Sequence, residues 1–442
     1  MGLKNFSLPE TVNLNKILIS IENYIGKVKK EDFIIHIHID EKKITLSAIK
    51  LLYLLLNNYE DNYFIIIKNL PYCLMPDALE HIVYEKISKN KYHYDGICEK
   101  CYLKNICPGW NESLNIERNK VNLPKDIPKE IVMEITTKCN LNCRCCNLDK
   151  SNPINVEFKI VKNIIDECKT LGIRAVRFTG GEPLLNPDLE KMLSYAKRNG
   201  FYVLLNTNAT LLNSHLLKIL EKNVDNVLIS LQGYNQTSER RLTNSHVDFN
   251  KKLTNIIKLN LRIPIVRIGS VISKTLIENF NRYYYLLKKI GINHWELYRP
   301  ILKDDEEFEI SKKDLIKIMY LLIEIKKTGM KTKIANPLPF CIVKNKKISL
   351  MSLLGGIADD GHSRIVWDAR GYFKPSYFIN VYLGKTIEES WQAPFLKKLR
   401  SLDYLPQKCK ECYYLKWCKG GSRALAKIFN KNYFSPDPLF KT

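Results

Sequence analysis

Apolar and polar residues are distributed along the chain in two grammars. In the first block, FIIHIHID (33–40) alternates with the period of a strand, ITLSAIKLLYLLLNN (44–58) carries the wider period of a helix, and YFIIIKN (63–69) is a second strand. A cysteine-bearing loop follows this β-α-β pattern, and NKVNLPKDIPKE (119–130), with prolines among charges, reads as a linker. Strand-like runs then alternate with helical ones: EIVMEIT (130–136), IRAVRFT (173–179), FYVLLN (201–206), NVLISLQ (226–232), VRIGSVI (266–272) and HWELYRP (294–300). Repeated β-α units imply a parallel sheet with helices outside, and six of them suggest an incomplete barrel with its ligands at the C-terminal strand ends. The remainder is shorter-ranged, with a Gly-rich turn LLGGIADDGHS (353–363) and a strand-like SRIVWD (363–368). The expected fold class is α/β: a partial (β/α)6 barrel over 126–335, an N-terminal α/β domain over 1–125 and a small α+β domain over 336–442.

At 442 residues the chain is long enough for two or three domains. No apolar run approaches the ~18 residues of a membrane span. The opening MGLKNFSLPE has no basic-then-apolar signal pattern, and Phe6 stands where a myristoylation motif needs Ser or Thr. The expectation is a soluble cytoplasmic protein with no membrane partner. The formal charge of +23 fits either an acidic partner or lysines spread over solvated faces. Lysines recur in KVKKED, LKKIG and IEIKKTG without a dense block, so nucleic acid is the less favoured partner.

Thirteen cysteines change the picture, because ten fall in three short clusters. The first-strand loop reads CNLNCRCC (139–146). A disulfide, a zinc knuckle and a buried thiol each account for it less well than an iron–sulfur cluster, which thiolates at close spacing can wrap. Residues 98–107 (CEKCYLKNIC) and 409–418 (CKECYYLKWC) are both C-x2-C-x5-C with Tyr after the second cysteine. Cys73 adds a fourth thiol to Cys98, Cys101 and Cys107, a set able to close a [4Fe-4S] cluster for electron relay or structure, with four-thiolate zinc as the competing reading. Cys168, in a helical run, reads as core, and His36 and His38 as ordinary strand residues.

Three of the four loop cysteines, Cys139, Cys143 and Cys146, have the spacing C-x3-C-x2-C, which resembles the radical S-adenosylmethionine (radical SAM) superfamily. The resemblance implies a [4Fe-4S] cluster with one open iron that chelates SAM, reductive cleavage to a 5′-deoxyadenosyl radical, hydrogen abstraction from a substrate, and an electron donor such as ferredoxin or flavodoxin. Cys145 stands where the family usually has an aromatic residue and is read as a non-ligand. TGGEP (179–183) resembles the family's segment for the SAM amino group, LLNTNATLL (204–212) its T-N-G-T segment, and Ser230-Leu231-Gln232-Gly233 its S-x-D-G segment with Gln in the place of Asp. The cofactor contacts so implied are Gly180, Gly181, Glu182, Asn208, Ser230, Gln232 and Arg241, with Arg240 and Arg299 as alternatives to Arg241. No catalytic acid or base is expected beyond the cofactor site.

The stretch from VWDARGYF to CKGGSRALAK resembles the SPASM extension of radical SAM enzymes that modify peptides, which implies a peptide or protein substrate. A complete SPASM domain holds two auxiliary [4Fe-4S] clusters. Ser376 and Ser422 stand where ligands of the first are expected, so that cluster is expected to be absent. The second would use Cys409, Cys412 and Cys418; Phe440 occupies the place of its late cysteine, which leaves Cys341 as an alternative fourth ligand. Radical modification of RNA, and a non-catalytic zinc-binding protein, are the readings from other classes.

Overall fold

The computed structural model describes residues 5–7, 34–38, 45–59, 64–68, 70–83, 92–94, 96–104, 107, 109–111, 116, and 123–440 apart from 303 and 353–360. The Gly-rich turn at 353–363 lies mostly outside them. The chain forms two compact units, Met1–Asp126 and Ile127–Thr442.

In the first unit β1 (Asn5–Ser7), β2 (Ile34–His38), β3 (Phe64–Lys68) and β4 (Ile82–Val83) form a parallel sheet in chain order. The helix Leu46–Tyr59 crosses between β2 and β3 and buries Leu51, Leu52, Leu55 and Leu56 in one core with Ile65 and Ile67. A short antiparallel pair, β5 (Tyr92–His93) and β6 (Trp110–Asn111), flanks the cysteine loop. His36 and His38 lie on β2, but their side chains are outside the described residues.

The second unit is built on one sheet. Strands β7 (Glu130–Glu134), β8 (Ala175–Thr179), β9 (Tyr202–Thr207), β10 (Asn226–Ser230), β11 (Ile265–Val271), β12 (His294–Tyr298) and β13 (Lys331–Ile334) are parallel and neighbour one another in chain order. That one-way walk, with a helix returning outside between strands, is the partial barrel. It has a seventh strand, β13, where the hydrophobic pattern gave six: β13 is four residues long and carries Lys331 and Lys333. On the other side β14 (Arg364–Trp367) pairs in parallel with β7, and β15 (Phe373–Lys374) returns antiparallel. The strand-like run of the C-terminal segment therefore extends the barrel sheet.

Outward residues of the strands, among them Ile131, Met133, Val176, Phe178, Val203 and Leu205, are buried under the helices. The helix Phe158–Leu171 shows why it docks: Val161, Ile164, Ile165 and Cys168 recur at helical spacing and are buried. Each aliphatic side chain so buried contributes about 1.5–3 kcal/mol. The helix stops at Gly172, whose φ of +85° lets its N–H return to the Cys168 carbonyl. Cys168 is a core residue.

The inner face is charged. Arg177 pairs with Glu130 (2.7 Å), Arg267 with Glu296 (2.6 Å), Lys333 with Glu296 (3.1 Å) and Lys374 with Glu134 (3.1 Å). Burial works to raise the Glu130 carboxyl, but the Arg177 guanidinium overrides it and holds the group down at about 2. Among the described residues no helix is long and apolar enough to cross a membrane.

Candidate cofactor site

The cysteine loop leaves the C-terminal end of β7 and is gripped from three sides. On the first, Ile135 N–H donates to the Thr179 carbonyl (2.9 Å), Gly181 N–H to Thr136 (2.7 Å) and Glu182 N–H to Lys138 (2.8 Å). The β7 and β8 extensions thus continue as a ladder beyond the sheet. A Cβ on Gly180 would lie 2.1 Å from the Thr136 carbonyl oxygen, and one on Gly181 2.1 Å from that of Lys138. Only glycine lets these backbones approach so closely, and Gly180 also sits at φ +142°.

On the second side, Asn142 and Arg144 donate their N–H groups to Thr243 and Leu242, at the end of the helix Gln236–Thr243 (3.2 and 3.1 Å). The Arg144 side chain reaches Asp305 through two hydrogen bonds (2.7 and 3.1 Å). The segment after β9 forms the third side. Asn208 donates to the Asn140 side chain (2.9 Å), and Asn140 donates to Thr210 (2.8 Å). Ala209, where the family pattern has Gly, adopts φ +59° and is held there by Asn255, which donates to its carbonyl (2.8 Å).

Glu182 is fully buried, and its carboxylate accepts from Leu184 N–H (3.1 Å), Thr207 hydroxyl (2.7 Å) and Asn208 N–H (2.7 Å). Burial pushes its carboxyl up, against the lowering effect of those donors. Its side chain ties the β8 loop to the β9 loop. Gln232 is likewise engaged: its side-chain oxygen accepts from Val271 N–H (3.0 Å), and its carbonyl accepts from the Tyr283 hydroxyl (2.5 Å). Ser230 ends β10 and is exposed.

Sequence reasoning missed two residues here. Glu239 accepts from the N–H groups of Gln232 (2.9 Å) and Gly233 (2.5 Å) and pairs with Lys252 at 2.5 Å, both side chains fully buried. Lys252 lies close enough to Cys143 to favour its thiolate. Glu239 shares a short helix with Arg240 and Arg241, but no motif separates it from a surface glutamate. Arg241 is half exposed and binds Glu307 (2.9 Å) and Thr275. Arg240 donates to the Val247 carbonyl (3.0 Å). Arg299 is buried in a two-bond pair with Asp437 (2.8 and 3.1 Å), which fastens the end of β12 to the C-terminal segment.

Cys139, Cys143 and Cys146 come together in this frame. Burial raises the Cys139 and Cys143 thiols, the latter to about 12, and their mutual repulsion as thiolates adds to the shift. Cys139 and Cys143 are half-buried and Cys146 is exposed; neighbouring thiols that repel one another when ionised are a donor set a cationic iron–sulfur cluster satisfies, since coordination takes the place of the proton. Cys145 is also raised, first by burial, and faces Asp305 as well as its neighbours.

Residues 133–294 match the sequence profile of the Radical SAM superfamily. The chain carries a radical SAM domain over these residues. It is 26% identical over 339 residues to an AdoMet-dependent heme synthase of Methanosarcina barkeri (strain Fusaro), covering 70% of this chain and 95% of that one. It is 22% identical over 335 residues to the PqqA peptide cyclase of Gluconobacter oxydans, covering 71% and 90%. In fold it is similar to Streptococcus suis SuiB bound to S-adenosylmethionine, with TM-score 0.58 and 19% identity over 73% of this chain and 79% of that one. Another structure of SuiB holds its precursor peptide SuiA. That domain makes the chain an enzyme of the radical SAM class and implies a [4Fe-4S] cluster and SAM. The three thiols at the β7 end have the donor chemistry that such a cluster would need.

This radical SAM enzyme has two further thiol sets. In the first unit Cys73, Cys98, Cys101 and Cys107 line one cleft of about 440 Å³, part of it open to solvent, with Tyr72, Tyr94 and Trp110. Burial raises Cys73 to about 12, with charge repulsion from the other three thiols added. In the second unit Cys418 accepts from the Phe340 N–H (3.3 Å), Cys412 from the Lys346 ammonium (3.2 Å), and Cys341 repels the thiolates of Cys409 and Cys418. Ser376 and Ser422 are buried, and their hydroxyls accept from Phe378 and Leu425 N–H groups (3.3 and 3.2 Å). Phe440 closes a turn on the Asp437 carbonyl (2.8 Å). Among the described residues no three His, Cys, Asp or Glu converge as ligands of one metal ion must, with thiolates about 2.3 Å from zinc. The four thiols of the first unit line a shared cleft instead.

Proposed function

We propose that this chain modifies a peptide or protein substrate by hydrogen abstraction, with SAM bound at the Cys139, Cys143 and Cys146 cluster. The observation that carries the reading is the loop itself: three thiols at a parallel strand end, locked against the Gly180–Glu182 backbone. When bound, the cluster supplies the electron that cleaves SAM reductively to the 5′-deoxyadenosyl radical. The chain's part is to position. Gly180 and Gly181 present backbone to the cofactor's amino group. Glu182 and Asn208 hold that backbone and the β9 loop against the cysteine loop. Glu239 and Lys252 keep the β10 turn, with Ser230 and Gln232, at fixed depth. Arg241, anchored by Glu307, is placed for a carboxylate. Peptide as substrate is supported by the resemblance of 336–442 to the SPASM extension and by the likeness to the PqqA peptide cyclase. The N-terminal cysteines are read as holding a closed [4Fe-4S] cluster, and Cys409, Cys412 and Cys418 as holding part of another; a ferredoxin or flavodoxin would supply electrons.

A second reading, a compact carboxylate-bearing substrate, is favoured by the barrel interior. Arg177, Arg267, Lys333 and Lys374 line it, and the buried Nη2 of Arg267 has no hydrogen-bond partner among the described residues. The likeness to the AdoMet-dependent heme synthase agrees with it. The test is 5′-deoxyadenosine formation from SAM and dithionite in anaerobically reconstituted protein, wild type beside Cys143→Ala, with candidate peptides and porphyrin carboxylates followed by mass spectrometry. A mass change on a peptide supports the first reading, and one on the porphyrin alone replaces it with the second. Cleavage that survives Cys143→Ala removes both.

A further inference from the structure

The likeness between the outer cysteine clusters extends well beyond their spacing. In the first unit β2, the helix Leu46–Tyr59 and β3 form a parallel β-α-β unit. In the second, β12, the helix Lys312–Lys326 and β13 do the same, and β13 ends the barrel walk. The segment after the last strand reads Leu70-Pro71-Tyr72-Cys73-Leu74 in one case and Leu338-Pro339-Phe340-Cys341-Ile342 in the other. Both fold as a single 3-10 turn, Tyr72–Leu74 and Phe340–Ile342. The prolines adopt the same conformation, φ −52°, ψ 134° and φ −69°, ψ 128°, and accept from Leu74 and Ile342 N–H groups at 3.0 and 3.1 Å. Around each half-buried cysteine the Leu, Pro, aromatic and following aliphatic residues are buried.

Three backbone bonds recur at the same places in both C-x2-C-x5-C loops. Cys101 N–H donates to Cys98 and Cys412 N–H to Cys409 (3.1 and 3.0 Å). The residue three beyond the second cysteine donates back to it in each, Lys104 to Cys101 and Leu415 to Cys412 (3.1 and 2.9 Å). The third cysteine donates four residues back in each, Cys107 to Leu103 and Cys418 to Tyr414 (both 2.9 Å). Two residues on, Gly109 and Gly420 both take a left-handed conformation, φ +93° and +77°. A lysine attends a thiolate in each copy, Lys104 near Cys98 and Lys346 on Cys412. The copies differ most in one interval: 25 positions separate Cys73 from Cys98, and 68 separate Cys341 from Cys409. The longer interval holds β14 and β15, which extend the barrel sheet.

Chance reproduction of one short cysteine motif is credible. Reproduction of a β-α-β unit, a proline-set turn, a buried aromatic, three loop bonds and a left-handed glycine in the same order is not. We infer that the two regions are copies of one module, and that each closes a [4Fe-4S] cluster with four thiolates: Cys73, Cys98, Cys101 and Cys107 in one, Cys341, Cys409, Cys412 and Cys418 in the other. This rests on the reading of the N-terminal cysteines as a cluster site, and it makes Cys341, placed before the barrel-edge insertion, the fourth ligand of a complete C-terminal site. A cluster with four protein ligands has no iron left for a substrate, so both copies serve electron relay or structure.

The test uses the full chain carrying Cys139→Ala, Cys143→Ala and Cys146→Ala, reconstituted with iron and sulfide, so that no outcome depends on SAM chemistry. About eight irons per chain are expected from two four-iron clusters. Adding Cys73→Ala or Cys341→Ala should have the same consequence: one of the two clusters gains an open iron, loses it on mild oxidation and gives a [3Fe-4S] EPR signal. Cys168→Ala, a core position, should give none. If Cys341→Ala lowers folded yield, Cys341→Ser with the same readout decides. Response to Cys73→Ala without response at Cys341 would overturn the inference and leave the N-terminal cluster standing. Zinc without sulfide at both sites would overturn the inference and the cluster reading together, whatever the wild-type chain does with SAM.

Discussion

Two thiol sites of this molecule are built on opposite plans. At the β7 end three thiols are spread over one short loop, which polar backbone and hydrogen-bonded side chains hold in place: Thr136, Lys138, Asn140, Asn208 and the helix end at Thr243. In the first unit four thiols from two separate segments share a cleft walled by Tyr72, Tyr94, Ile97 and Trp110. In the proposed reading the first plan leaves a coordination place beside groups that can hold a small polar molecule. In the proposed reading the second uses every place, behind a largely aromatic and aliphatic wall that is partly open to solvent. One chemistry of sulfur and iron can thus serve a reacting site and a closed one, and the number of thiols with the polarity of the wall separates them.

The comparison breaks most sharply at Cys143. Cys143→Ala should abolish 5′-deoxyadenosine formation while the iron of the N-terminal site stays, as measured by product assay and iron content on one sample. Gly181→Ala is the next largest effect. Its Cβ would fall 2.1 Å from the Lys138 carbonyl oxygen, so the ladder beside the cysteine loop must part. Since a misplacement of about 1 Å can cost ~100-fold in rate, SAM cleavage should drop by about that factor with total iron little changed. The Glu239 and Lys252 pair sharpens the polar side of the comparison. Lys252→Met leaves a buried carboxylate without its cation and should cost about 3–5 kcal/mol in urea unfolding, and Glu239→Gln in the same chain should recover part of it. The smallest effect belongs to Ser422→Ala. Its hydroxyl caps the helix Arg423–Asn430, so about 1 kcal/mol should be lost with iron content unchanged.

Much of this was legible from periodicity and motif. Strands β7 to β12 announce themselves by apolar runs at regular intervals, because each is long enough to bury an outer face. β13 did not, since a four-residue edge strand with two lysines carries almost no apolar signal. SRIVWD was readable as a strand, but its place beside β7 is a pairing across more than 200 positions that no local pattern encodes. The cysteine loop and the Gly180–Glu182 turn were readable because their spacing is rigid. Arg299 was read as an alternative cofactor contact, and its pairing with Asp437 escaped because the two lie 138 positions apart. Glu239 and Lys252 escaped for the same reason: what makes them important is mutual burial, which only the folded chain creates. The repeat of the two C-x2-C-x5-C stretches was visible as letters; that of the Cys73 and Cys341 segments stood out only once strands, turns and hydrogen bonds matched.

The most direct test of the central contrast is EPR of the dithionite-reduced full chain with and without SAM, run beside the chain carrying Cys139→Ala, Cys143→Ala and Cys146→Ala. The account predicts that SAM alters one cluster signal in the wild type, that this signal is missing from the variant, and that the remaining cluster signals are indifferent to SAM. A SAM-dependent change that persists in the variant, or a wild type with fully loaded iron and no response to SAM, would contradict it.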